Sequence, residues 1–101
     1  MARLRCDRYD VVLLTAEELI KRPHFNDELA KNVIEASTLA LSLGAEKDKS
    51  WEALAFKIQG LAYEYLHDNK AALPAFDKAL QINPKIGVKR KADALRKKLV
   101  Q

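Results

Sequence analysis

His24, His67 and Cys6 are the residues of this chain best suited to proton transfer or nucleophilic attack. A histidine can act as general acid or base near neutral pH, and a thiolate can attack a carbonyl or bind a metal. Neither role is supported by the spacing. His24 follows Pro23 and His67 precedes Asp68, so both fall in expected turns. Cys6 has no second cysteine, which excludes an internal disulfide and a cysteine zinc cluster. No H-x-x-x-H or C-x-x-C spacing is present, and the three glycines are too scattered for a phosphate loop. Asp7 with Asp10, and Glu17 with Glu18, read most simply as the polar side of a helix. The expectation is a protein with no catalytic residues, no metal and no cofactor.

The elements around these residues are helical. The frequent residues are Ala, Leu, Lys and Glu, with only three Gly and three Pro in 101 residues. The apolar share of 49% suits one globular domain, 1–101, and exceeds what disorder tolerates. Val11–Leu14 is the longest purely aliphatic run, far short of the roughly 18 residues of a membrane span. The basic stretch Met1–Arg5 has no apolar signal segment after it, so a cytoplasmic location without a membrane is expected.

Five helices are predicted. In the first, Asp7–Arg22, Tyr9, Val12, Leu13, Ala16, Leu19 and Ile20 recur at helical spacing. A strand over Tyr9–Leu14, followed by a short helix capped by Thr15, competes locally. No other segment alternates to pair with such a strand, so the helix is expected. Pro23 closes it. Asn26 caps a second helix with Asp27 and Glu28 in its first turn, a stripe of Leu29, Val33, Ala36, Ala40 and Leu43, and Gly44 as its stop. Glu46–Lys49 is a polar linker. Ser50 is expected to cap a third helix, Trp51–Leu66. A fourth spans Lys70–Ile82, and a fifth spans Ile86–Leu99, with Val88, Ala92, Leu95 and Leu99 on one face.

One constellation carries a specific spacing. Phe56-x-x-Gln59-Gly60-x-x-Tyr63 is followed by Ala72-x-x-x-Phe76-x-x-Ala79, and Pro84 ends the run. Gly in mid-helix costs roughly 0.5–1 kcal/mol relative to Ala and is accepted where another element must come close. Small residues at Gly60 and Ala72 would let two antiparallel helices approach to about 8 Å. Over residues 53–86 this pattern resembles the tetratricopeptide repeat, a helical hairpin of about 34 residues. Phe56 replaces the family's Trp, Gln59 departs from its Leu, and Pro74 falls early in the second helix, where a kink or a delayed start is expected if Asn69 is the cap. The preceding hairpin, 7–44, is at most degenerate. Ala36, Ala40 and Leu43 align under Ala72, Phe76 and Ala79, but His24 then falls under Gly60. The implied fold is all-α: a degenerate hairpin, one repeat at 51–84 and a basic capping helix at 86–99, stacked as a short solenoid.

The resemblance implies a non-catalytic adaptor that binds a protein or peptide. The third helix carries a second stripe, Leu54, Ile58, Leu61 and Tyr65, on the side where such proteins hold a peptide. Lys57 and Glu64 flank it and would orient the ligand. The stripe is either a ligand face or a seam covered by the first hairpin; partial exposure is expected, with Tyr65 and Lys57 at the rim and Leu61 deeper. One subclass of the family grips chaperone C-terminal carboxylates with a Lys and, four residues later, an Asn. Here Lys57 matches, but Leu61 replaces the Asn, and Val88 and Ala92 stand in place of later bases, which argues against that clamp.

Two other readings rest on charge and on the apolar stripes. Residues 1–50 hold 8 Lys/Arg and 9 Asp/Glu, net −1, whereas 51–101 hold 10 and 5, net +5. Lys85, Lys89, Arg90, Lys91, Arg96, Lys97 and Lys98 face one acid, Asp93, near the C-terminus. Such a segment is a solvated face or a surface for nucleic acid or another acidic partner. No aromatic side chain lies among these bases, which disfavours base stacking. The third-helix stripe, or Val88, Ala92, Leu95 and Leu99, could alternatively pair copies as a homo-oligomer.

Overall fold

A computed structural model describes residues 9–100; Met1–Arg5, Cys6 and Asp7 lie outside the described residues. Five α-helices follow one another with no strand among the described residues: α1 (Tyr9–Lys21), α2 (Asp27–Ser42), α3 (Lys49–Tyr65), α4 (Asn69–Ile82) and α5 (Lys89–Val100). A single 3₁₀ turn, Ala45–Lys47, occupies the linker after α2. Tyr9–Leu14 is helical, as the lack of any partner strand requires. Each helix packs on the next, and α1 also reaches α3. The result is elongated, 51 × 30 × 18 Å.

Local chemistry sets the helix ends. Asn26 accepts a bond from the Leu29 amide at 2.9 Å and starts α2 as expected. Gly44, at φ +121°, follows its end. The cap of α3 is Asp48 rather than Ser50: its carboxylate accepts from the Ser50 amide at 3.1 Å, so the helix begins at Lys49. The cap of α4 is likewise Asp68 rather than Asn69, accepting from the Ala71 amide. Pro74 does not delay this helix, which starts at Asn69. The fifth helix starts at Lys89 rather than Ile86, because Gly87 sits at φ +96° and breaks the run.

The turn from α3 to α4 is a Schellman motif. The Asp68 amide donates to the Tyr63 carbonyl at 2.9 Å and the His67 amide to that of Glu64 at 3.0 Å. His67 therefore sits at φ +64°, a left-handed conformation that costs a residue with a Cβ about 1 kcal/mol. Its side chain is exposed. His67→Gly should stabilise the fold by up to about 1 kcal/mol, a rise in Tm of roughly 4–8 °C by calorimetry. An unchanged or lower Tm would refute the strain.

Two apolar clusters hold the helices. The first joins α1, α2 and α3 through Leu13, Ala16, Val33, Ala40, Ile58 and Ala62. Ser37 of α2, the buried polar side chain among the described residues, donates to the Ile34 carbonyl at 2.9 Å. The second joins α4 and α5 through Ala72, Phe76, Val88, Ala92 and Leu95, with Leu61 and Tyr63 of α3 against its edge. Leu99 shares the α5 stripe by spacing but is 40% exposed.

Gly60 is buried on the side of α3 that meets α4, but what it faces differs from the expectation. The atoms nearest a Cβ there belong to the Phe76 ring, two of them at 2.7 Å, rather than to Ala72. The small residue makes room for an aromatic ring, not only for a backbone. Gln59 turns to α2 and donates to Thr38 Oγ1 at 3.0 Å, a polar contact in place of the apolar one its position suggests.

Candidate functional site

The stripe on α3 does not form one surface. Ile58 is fully buried in the cluster beneath α1 and α2, and Leu54 is half-buried against that same cluster. Leu61, one turn on, packs partly against the α4–α5 cluster instead. Tyr65 is 42% exposed. Its ring meets Phe25 edge-on with centroids 4.8 Å apart, and its hydroxyl donates to the Phe25 carbonyl at 2.9 Å. Helical spacing places the four residues on one side of α3. What divides them is α1, which packs on α3 and meets Lys57 through Glu17, beside the buried Ile58.

The flanking charges are engaged within the molecule. Lys57 Nζ lies 3.8 Å from Glu17 Oε2 on α1, with both side chains about a quarter exposed. Glu64 Oε1 accepts from Lys91 Nζ on α5 at 3.1 Å. Such bridges contribute about 0–1 kcal/mol each. Their effect here is positional: Lys57 ties α3 to α1, and Glu64 ties it to α5.

What remains open is a cleft of about 450 Å³ where the end of α1 passes the end of α3. Ile20, Pro23 and Phe25 form one wall, Leu61 and Tyr65 the other, and Arg22 and Glu64 supply a charge of each sign. The α3 half is legible in the sequence. Ile20, Pro23 and Phe25 are not, and they enter because the chain turns at Pro23 and brings them beside α3. A large apolar residue at position 25, two residues after a proline in an otherwise polar turn, was the available signal.

The bases of α5 are of two kinds. Arg96 bonds Asp77 at 2.6 Å and Asp93 at 3.3 Å, Lys91 meets Glu64, and Lys89 meets Asp93 at 3.7 Å. Among the described residues, Lys85, Arg90, Lys97 and Lys98 make no ion pair and are exposed. Val88 and Ala92, at 2% and 0% exposure, lie in the core and cannot meet a ligand.

His24 and His67 are both exposed and stand in separate turns. Among the described residues no three His, Cys, Asp or Glu side chains converge to hold a metal ion. No helix among them is long and apolar enough to cross a membrane. Comparison with family models, with curated proteins and with solved structures finds no match to this chain.

Proposed function

We propose that this chain is a non-catalytic binding module of tetratricopeptide type that takes a peptide segment of another protein. The observation that carries the reading is the cleft between Phe25 and Leu61. It is open to solvent, lined by apolar and polar surface in comparable measure, and has an exposed aromatic at its rim, with Arg22 and the Lys91-bridged Glu64 to fix a ligand's direction. The sequential packing of helices, with α1 returning to α3, is the neighbour pattern a stack of helical hairpins requires. The ligand site in this reading is Leu61, Glu64 and Tyr65, while Leu54, Lys57 and Ile58 support it from beneath α1.

Selection of a random displayed peptide library on the immobilised chain tests this. Selected peptides should shift the amide resonances of Ile20, Phe25, Leu61 and Tyr65. Leu61→Glu should weaken them by about tenfold or more, since burying a Leu side chain is worth roughly 1.5–3 kcal/mol. Its circular dichroism should stay helical, because Leu61 is only partly buried. Peptides that shift other residues, and bind the variant equally, would sink the proposal.

A second reading rests on the four unpaired bases on and just before α5. They make this segment a candidate for nucleic acid or another acidic surface, with affinity falling steeply as salt rises. Self-association remains a third, read out by mass against concentration.

A further inference from the structure

The chain demonstrates, at its C-terminal end, how it docks a basic helix. Val88, just before α5, and Ala92 and Leu95 of α5 pack with Phe76 and Ala72 of α4. On either side of that apolar seam, Lys91 reaches Glu64 of α3 and Arg96 reaches Asp77 of α4. An apolar stripe flanked by bases thus meets an apolar seam flanked by acids.

The other end of the stack presents the same kind of seam with nothing docked on it among the described residues. A groove of about 340 Å³ runs between α1 and α2, its floor made by Ala16, Val33 and Ala36 and its walls by Val11, Val12 and Leu19. Val11 is 49% exposed, and Leu39, one turn beyond Ala36, is 41% exposed. The rim is acidic. Glu18 lies two turns past Val11 on α1, and Glu28 and Glu35 lie one turn before and after Asn32 on α2, so helical spacing sets all three along the groove. Among the described residues none of these three carboxylates makes an ion pair, and all are exposed. The groove lacks the mixed charge of the cleft between Phe25 and Leu61, so it selects a different ligand.

We infer that the α1–α2 groove is a docking surface for a cationic amphipathic helix of a partner protein, one with apolar residues at steps of three and four flanked by Lys or Arg. Apolar anchors enter between Val11 and Leu39, and the flanking bases meet Glu18, Glu28 and Glu35. The sign of the rim excludes an acidic helix, and the width between two packed helices suits a helix rather than a flat sheet.

The probe is a fluorescein-labelled synthetic peptide of residues 86–101, which has the required chemistry, titrated against the whole chain by anisotropy. The chain's own α5 stays docked because it is tethered. Binding should be saturable and should weaken as salt rises. Val11→Lys and Leu39→Lys alter exposed positions, so helicity should be unchanged and affinity should fall about tenfold or more. Glu18→Lys with Glu35→Lys should weaken binding and flatten its salt dependence. Amide shifts should fall on α1 and α2. Equal binding of a peptide with every base replaced by Glu, unaltered affinity in the groove variants, shifts confined to α4, or no binding would each overturn the inference. So would a mass that rises with chain concentration and reverts in Val11→Lys, because that assigns the groove to a second copy.

Discussion

Gly60→Leu is expected to lower the thermal unfolding midpoint by about 10 °C or more. A Cβ at this position would stand 2.7 Å from two atoms of the Phe76 ring, closer than carbon atoms tolerate, and Phe76 is fully buried. The ring cannot swing into solvent, so α3 and α4 must separate or the ring must leave its rotamer. Overpacking of this kind costs roughly 1–3 kcal/mol for small excesses, and a Leu adds further branches. In a domain of this size each kcal/mol moves Tm by roughly 4–8 °C. Gly60→Ala separates the two opposing effects at the site. Helix propensity favours Ala by roughly 0.5–1 kcal/mol, while the contact opposes it. The contact should win, and Gly60→Ala should still destabilise. Pairing it with Phe76→Leu should recover part of the loss, because the double mutant removes the ring that the Cβ strikes. A Gly60→Ala protein more stable than the parent would show that α3 and α4 have slack at this point. It would also remove the steric reason for the glycine.

The spacing that drew attention to Gly60 did not reveal its neighbour. Residues Phe56, Gly60 and Tyr63 were legible as one face of a helix, because a period of 3.6 residues fixes which side chains share a side. It does not fix what covers them. Leu54, Ile58, Leu61 and Tyr65 read as one partly exposed stripe for the same reason, yet Ile58 is fully buried while Tyr65, packed on Phe25, is 42% exposed. That division depends on the turn at Pro23–Phe25, a tertiary event with only weak local marking. Helix ends show a related limit. At Asp48 and Asp68 several polar residues stood side by side, and any of them could cap; the choice follows from where each carboxylate reaches a free amide. Asn26 stood at the start of its helix with only one acceptable register, and it was placed correctly. The stop at Gly44 was legible on similar grounds, and the helix over Tyr9–Leu14 was legible because the competing strand had no partner.

Removal of residues 85–101 should destabilise the remaining chain by on the order of 3 kcal/mol and expose apolar surface that binds a dye such as anilinonaphthalene sulfonate. Val88, Ala92 and Leu95 are at most 3% exposed, and they cover Phe76 and Ala72 of α4. Burying a Val and a Leu is worth roughly 1.5–3 kcal/mol each, before the cost of ordering the helix is counted. Loss of α5 also frees Glu64 and Asp77 from Lys91 and Arg96, but those bridges are half-exposed and add little. The damage should therefore be apolar in origin and insensitive to salt. If α5 were chiefly an arm for nucleic acid, the truncated chain would keep its stability and lose only that binding. The two roles are separable without truncation. Arg90, Lys97 and Lys98 point away from the seam, and their replacement by Gln should leave Tm within about 2 °C of the parent. Any binding to DNA or RNA should fall in that variant, and the slope of affinity against salt should fall with it. A truncated chain as stable as the parent would make α5 an appendage, and the α4 face beneath it would then have to be covered in some other way.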